Sequence, residues 1–493
     1  MTGHTADAAP FAYDAVPYPT SVNALQTPDR IRAAGLLHGW RAPDPASASI
    51  LEIGCGDGYN LMGIAAAAPG VRCLGFDLSV NAIARGRDLL ERSGLTNVEL
   101  EQGDIAAYPL EGERFDYIIC HGVYTWVPEA VRQPLLNLVG ARLAPGGVAY
   151  IGFDALPAAA PKAAINRFLI DRLAGITELG ARVAEAVRLL GVLARNQHTQ
   201  SRLKVQLDQL MNDLPSFDPG YFVHDWLAEH YHPVTLADFR LAAGAAGLCC
   251  AGDAALFDLF TDDLDAEGEA LVATAGSDAG VRSLVMEMLR GAHQFRRELL
   301  VRADAPPPAV TNGLTELSLA YTGERIESRD ESGAPIFAYT GGLGHIVPRT
   351  PLIQQVLDTL LAVSPGELTV AELADRLGEG GPAIEDAVRR LATRGTIDAH
   401  GMPAAFTLTP GEHPRVGGLV RAMLATGNEA ITLRHSKFVT DQEQTRAFLA
   451  LCDGSRTRSD IARALSARFG SSLSVDKVDE AARRFAASRL FED

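Results

Sequence analysis

Residues 50–61, Ile-Leu-Glu-Ile-Gly-Cys-Gly-Asp-Gly-Tyr-Asn-Leu, constrain the fold of this chain more than any other stretch. An apolar run turns through Gly54, Gly56 and Gly58 and continues into a helical pattern. Glycine is needed where a backbone turns sharply, or where a ligand approaches with no Cβ in the way. Alone, such a turn serves nucleotides of several kinds. Here the spacing is GxGxG rather than GxGxxG, and Glu52 lies inside the strand. Asp77 ends the next strand, 23 residues after Gly54, where a carboxylate accepts both ribose hydroxyls. Gly103-Asp104 closes the third, where a carboxylate takes an adenine amino group. Acids ordered along three successive strands are far more specific than the glycines.

Around this motif, β-rich runs at Ile50–Ile53, Val71–Phe76, Val98–Gln102, Tyr117–Cys120 and Val148–Phe153 alternate with helical segments such as Ala82–Ser93 and Glu129–Leu143. That alternation predicts βαβ units in an α/β fold with a doubly wound parallel sheet, whose ligands bind outside the carboxyl ends of the strands. After Pro157 the periodicity becomes helical. The apolar runs Leu248–Ala251 and Arg297–Val301 are expected to complete the sheet, with residues 161–232 and 254–294 as helical insertions. Residues 1–304 are then expected to form one enlarged domain. The Pro-rich stretch from Ala305 opens a linker and a small β-rich segment over 314–349.

Two echoing helix–turn–helix–helix units follow, within 305–400 and 401–493, each expected as a winged-helix-like α+β module. RTRSDIARAL in the second echoes LTVAELADRL in the first, where Thr369 and Glu372 form a capping box. The first unit has four Arg against eight acids over 351–399, which disfavours DNA binding; the second, with nine Lys/Arg against seven acids over 441–491, is equivocal. Protein or peptide docking, or dimer packing, suits both better.

Charge narrows the partners. With 44 Lys+Arg against 61 Asp+Glu the net charge is −17, which argues against a general nucleic-acid binder and against a polybasic membrane-surface protein. Residues 162–213 are the local exception, with eight Lys/Arg against five acids. The N-terminal residues carry no charged-then-apolar leader, and no apolar run reaches the roughly 18 residues of a membrane span. The six cysteines form no CxxC pair. The expectation is a cytoplasmic protein with no membrane insertion. His224, His230 and His232 with Asp225 and Glu229 lack the spacing of a metal site, so no metal is expected.

The ordered acids and glycines make residues 50–154 resemble the class I S-adenosylmethionine-dependent methyltransferases. That resemblance implies S-adenosylmethionine as cofactor, held by Glu52, Gly54, Gly56, Gly58, Asn60, Asp77, Leu78, Asp104, Ile105 and His121. An acidic site suits the ligand, whose methionine part carries an ammonium and a sulfonium. A closer resemblance spans nearly the whole chain. Tyr13-Asp14-x-Val16-Pro17-Tyr18, Thr27-Pro28-Asp29-Arg30 and Cys120-His121-Gly122-Val123-Tyr124-Thr125-Trp126-Val127-Pro128 belong to it. So do Leu143-Ala144-Pro145-Gly146-Gly147, Tyr221–Leu227 and Leu451-Cys452-Asp453-Gly454. These look like bacterial methyltransferases with a methyltransferase regulatory domain, a group that includes lysine methyltransferases of bacterial surface proteins. A protein or peptide acceptor is therefore implied. One departure touches the acceptor region. Where those enzymes have Asn-Thr-Tyr-Pro-Gly-Trp after the fifth strand, this chain has Asp154-Ala155-Leu156-Pro157-Ala158-Ala159.

Methyl transfer is an in-line displacement, so the enzyme chiefly aligns nucleophile, methyl and sulfur and excludes water. An ammonium acceptor must first lose a proton, to solvent or to a base within hydrogen-bond reach. Asp154, ending the fifth strand, is the expected base or orienting group. Tyr18 is expected in a lid over the methyl, and His121, Tyr124 and Trp126 divide between acceptor contact and core. The competing expectations are a small-molecule or peptide-carboxylate methyltransferase whose C-terminal modules grip a carrier, and a non-catalytic cofactor-binding interaction protein. The helical insertions and tandem modules also leave room for a homodimer.

Overall fold

A computed structural model describes residues 12–492 except Ser21, Ala292, Asp330, Glu331, Leu343 and Ser471. Residues 1–11, on which the expectation of no leader rests, lie outside the described residues.

Two helices, α1 (Ala12–Ala15) and α2 (Pro28–His38), lead into the alternating unit. That unit runs β1 (Ser49–Ile53), α3 (Tyr59–Ala67), β2 (Arg72–Asp77), α4 (Val80–Ser93), β3 (Val98–Gln102), β4 (Phe115–His121), α5 (Glu129–Arg142) and β5 (Leu143–Leu156). An insertion follows: α6 (Ala160–Leu173), α7 (Leu179–Asn196), α8 (Arg202–Asp213) and α9 (Pro219–Trp226). The chain returns through β6 (Val234–Thr235), α10 (Leu236–Ala245), β7 (Leu248–Asp253), α11 (Ala266–Ala273), α12 (Ala279–Arg290) and β8 (Phe295–Arg302).

The strand order is β3-β2-β1-β4-β5-β8-β7, with β6 pairing alongside the end of β5. The two late apolar runs thus complete the sheet as expected. Strands β1 to β5, the alternating run, pair parallel as expected, and β8 threads antiparallel between β5 and β7. The βαβ pattern of residues 50–154 fixes a parallel direction there, whereas β8 enters after a long helical insertion that fixes no direction. Strands β4 and β5 are apolar on both faces, as a sheet covered by helices on both sides requires. On one face Ile118, Cys120 and Ala149 pack under α5 and α10; on the other Ile50, Tyr117 and Tyr150 meet α3. The insertion helices close on a separate cluster around Leu169, Leu190, Leu210 and Trp226.

The rest comprises β9 (Ser318–Ala320), β10 (Arg325–Arg329), β11 (Pro335–Gly341), β12 (Gly344–Ile346), α13 (Pro351–Val363), β13 (Leu368–Thr369), α14 (Val370–Leu377), α15 (Gly381–Thr393) and β14 (Asp398–His400). Then come α16 (Gly418–Thr426), β15 (Glu429–Ile431), β16 (Lys437–Val439), α17 (Glu443–Leu451), α18 (Arg458–Phe469) and α19 (Val475–Ala486). The sequence echo has a structural counterpart. β9 pairs antiparallel with β13 and β14, and Arg415 and Val416 bridge Asp453 and Phe491 in the same manner. Both units cap their middle helix with a reciprocal box, Thr369 with Glu372 and Thr457 with Asp460. The second unit is no bead on a linker. Val420, Met423, Leu449 and Phe491 share one buried cluster with Ile50, Leu61 and Met62 of the sheet and α3.

Candidate functional site

The turn after β1 is built by left-handed glycines: φ is +71° at Gly54, +57° at Gly56 and +75° at Gly58. Their surroundings differ. A Cβ on Gly54 would lie 2.6 Å from Val123 and one on Gly58 2.7 Å from Leu100, whereas one on Gly56 meets nothing within 4 Å. Gly54 and Gly58 are bare because the protein is close; Gly56 faces open space of the kind a ligand fills. Accordingly, Gly54→Ala is expected to cost about 1–3 kcal/mol of stability from overpacking and strain. Gly56→Ala is expected to cost ~1–2 kcal/mol of stability, with the larger loss in cofactor affinity. Urea midpoints and calorimetric titration of each variant separate the two.

The acids surround this turn. Asp77 accepts from the Gly56 amide at 2.9 Å and the Ser79 amide at 2.8 Å, so it sets the loop while keeping lone pairs free for a ligand. Burial raises its carboxyl above the usual range. Asp104, at the end of β3, is exposed and accepts from the Ala106 amide at 2.9 Å. Ile105 is half-buried, and Leu78 beside Asp77 leaves 42% of its surface exposed. Glu52 is buried and accepts from the Asn60 amide nitrogen at 3.0 Å. Its Oε2 has no partner, and burial pushes its carboxyl up to about 8.

An N-terminal strap crosses the same end of the sheet. Asp14 accepts from Ser79 Oγ at 2.6 Å, Thr20 Oγ1 donates to Asp57 at 3.0 Å, and Tyr18 donates to Asp225 at 2.9 Å. Tyr13 stacks on His224 at 3.9 Å between ring centroids, and the carboxylates of Asp225 and Asp77 both act on its hydroxyl. His224 Nε2 donates to the Val16 carbonyl at 2.7 Å, so His224 ties down the strap.

Beside the strap lies a second charged group. Lys162 Nζ, on α6, sits 3.6 Å from Asp154 and 3.3 Å from Asp225. It also lies 4.6 Å from the Trp126 ring centre, 4.8 Å from Tyr231 and 5.6 Å from Trp226, within cation–π range. The Tyr231 hydroxyl faces Asp154 without a hydrogen bond of good geometry. Burial raises the carboxyls of Asp154 and Asp225 above the usual range, against the opposing pull of Lys162.

The structure thus brings Tyr18, Trp126 and Asp154 together around Lys162. Tyr124 is elsewhere: it is 3% exposed and packs edge-on against Phe239 and Phe153, which puts it on the core side of the expected division. Three aromatics there seal the sheet against α10. His121 is 2.9 Å from the Tyr150 hydroxyl, and burial, with the Arg297 charge behind it, pushes its imidazole down to about 4. It is therefore neutral at pH 7. Lys162, Asp225, Tyr231 and Tyr13 escaped the sequence reading as site residues. The Tyr221–Leu227 motif was the one signal that could have found Asp225.

A doubly wound sheet with a glycine loop after β1 and acids along β1, β2 and β3 defines a class I S-adenosylmethionine-dependent methyltransferase domain. Residues 50–147 match the family described as "Methyltransferase domain", and residues 218–302 match "Predicted methyltransferase regulatory domain". The chain carries both, and S-adenosylmethionine is the cofactor of such a domain. The regulatory match takes in α10, β7 and β8, so the matched segment supplies the last strands of the main sheet.

Among solved structures the chain resembles PKMT2 from Rickettsia typhi in complex with AdoHcy. The TM-score is 0.79 at 19% identity, over 96% of this chain and 100% of that one. Among curated relatives it is 38% identical over 146 residues to the uncharacterized protein RP028 of Rickettsia prowazekii (strain Madrid E), covering 30% of this chain. It is 31% identical over 229 residues to RP789 of the same organism, covering 46% of this chain. The matches span 58% and 41% of those relatives' lengths. No helix among the described residues is long and apolar enough to cross a membrane.

Proposed function

We propose that the chain transfers a methyl group from S-adenosylmethionine to a lysine amine of a protein or peptide. The observation that carries the acceptor half is the Asp154–Lys162–Asp225 cluster walled by Trp126, Tyr231 and Trp226. With both carboxyls ionised its net charge is −1, so it attracts an incoming ammonium and repels an anion. A carboxylate acceptor needs a free cation instead, and the cation of this cluster is already flanked by two acids. The resemblance to surface-protein lysine methyltransferases supports the same choice. The Trp and Tyr lost after β5 are replaced here by aromatics from the β4–α5 turn and the regulatory segment.

When bound, S-adenosylmethionine supplies an electrophilic methyl that a nucleophile takes in line. Gly56 admits it, in a turn that Gly54 and Gly58 let close against Val123 and Leu100, Asp77 and Asp104 take ribose and adenine, and Leu78 and Ile105 pack the base. Glu52, held by Asn60, faces the cationic end of the ligand. Asp154, with Asp225 beside it, accepts the proton that the acceptor ammonium must lose before nitrogen attacks, and Lys162 fixes both carboxylates. Tyr18 and the strap exclude water.

Glu52 gives a sign that can be checked. Its pKa is raised from 4.5 to about 8 by burial, so at pH 7 the folded chain holds a proton the unfolded chain lacks. This contribution to stability is complete below pH 4.5 and is lost as pH rises through about 8. A cationic ligand favours the ionised form. Binding at pH 7 is therefore expected to release roughly one proton, read from titrations in buffers of different ionisation enthalpy. Glu52→Gln removes that release, stabilises the chain at pH 9 and weakens cofactor binding.

Incubating a bacterial lysate with the chain and methyl-labelled donor tests the acceptor. A base-stable label on protein supports the amine, a base-labile one indicates an ester, and label among metabolites alone refutes a protein acceptor.

A further inference from the structure

The hairpin joining β15 to β16 reaches the cofactor motif from about 375 residues away along the chain. Its turn, Thr432–Ser436, is locked by Thr432 N–H to Ser436 O (2.9 Å), Ser436 N–H to Thr432 Oγ1 (3.1 Å) and His435 N–H to Thr432 O (2.9 Å). At its tip His435 adopts φ +56°, a left-handed conformation that costs a non-glycine residue about 1 kcal/mol. The strained residue is aimed into the protein. Its Nε2 lies 2.8 Å from Asn60 Oδ1, and Asn60 Nδ2 donates to Glu52 Oε1 at 3.0 Å.

Because Asn60 donates to Glu52, its oxygen must accept, so His435 is the Nε2–H tautomer. Burial pushes His435 down to about 4, which keeps the ring neutral. The receiving helix is shaped for it: a Cβ on Gly63 of α3 would lie 2.8 Å from the His435 ring. The neighbouring Arg434 pairs with Asp29 at 3.3 Å and with Glu367, fixing the tip from the other side. One end of the hydrogen-bond relay, His435, is thus buried against the first turn of α3, and the other end is Glu52, whose Oε2 is buried and unpartnered.

We propose that His435 is a positioning residue of the cofactor site, so that the last module completes that site. His435 orients Asn60, Asn60 orients Glu52, and the free Oε2 is thereby presented to the cationic end of the cofactor. Docking of the 432–436 turn and cofactor binding are reciprocally coupled, since what favours one must favour the other. The inference rests on the reading of β1–α3 as the S-adenosylmethionine site and gives the C-terminal module a role in it.

The test is calorimetric titration of the full chain with S-adenosylmethionine. His435→Phe, which keeps an aromatic ring and loses the donor, is expected to raise Kd ~10-fold, within the usual range of coupling. His435→Gln, which restores an N–H donor, is expected to recover most of that loss. Asn60→Ala should match His435→Phe, and the double variant should be no weaker than Asn60→Ala alone. A Kd within twofold of wild type for His435→Phe, or fully multiplicative effects in the double variant, would overturn the coupling. If His435→Phe does not fold, hydrogen exchange on the wild type decides: cofactor should slow exchange at 430–437, and no change there overturns the proposal. No binding by the folded wild-type chain would overturn the cofactor reading and the coupling with it.

Discussion

Asp77→Ala is expected to weaken S-adenosylmethionine binding at least ~100-fold, because two charge-assisted hydrogen bonds to ribose, at about 1.5 kcal/mol each, are lost together. The loss exceeds that of a simple contact residue, since the same carboxylate holds the amides of Gly56 and Ser79 in place. Asp77→Asn separates the parts. Its amide oxygen still accepts from one backbone amide, but it takes the two hydroxyls poorly, so most of the affinity is lost while the loop survives. A change below fivefold in Asp77→Ala, by calorimetry on a folded variant, would show that the ribose lies elsewhere.

The second large effect is on turnover. Asp154→Asn is expected to lower kcat by roughly 10²–10⁴-fold, the usual share of a general base, while cofactor Kd stays within a fewfold. Asp154 and Asp225 both have carboxyls raised by burial. The acid limb of the pH–rate profile should therefore lie above the ordinary carboxylate range, activity rising as the proton leaves, and the limb should flatten in Asp154→Asn. An equal loss of cofactor binding would move Asp154 from the acceptor side to the cofactor side. An unchanged acid limb would pass the proton transfer to Asp225 or to solvent.

The sheet and its cofactor end were legible because short-range patterns encode them. An apolar run, three glycines and an acid at the next strand's end each follow from local backbone geometry. Even the late strands at Leu248–Ala251 and Arg297–Val301 showed as apolar runs, although the direction of the second did not, since strand direction is set by what it pairs with. In the cluster proposed for the acceptor, Tyr18, Trp126 and Asp154 were legible, whereas Lys162 and Asp225 were not. Lys162 read as one of eight basic residues on helices, and nothing in its neighbours says that α6 folds back to lay it between Asp154 and Asp225. Tyr124 stood in the same motif as Trp126, two residues apart, yet one faces Phe239 and the other Lys162. His435 was invisible for a stronger reason: its partner is Asn60, and a lone histidine in a hairpin carries no local sign of a contact that distant. The modules likewise read as separate units because each has its own helical periodicity. That Val420 and Met423 would pack against the helices flanking β1 depends on a second surface no periodicity reveals.

Calorimetric titration of the purified wild-type chain with S-adenosylmethionine tests the account most directly. One saturable site per chain is predicted, with proton release at pH 7 that disappears in Glu52→Gln and competition by S-adenosylhomocysteine. A folded chain that shows no saturable binding would contradict the cofactor site, and with it the methyl transfer built upon it.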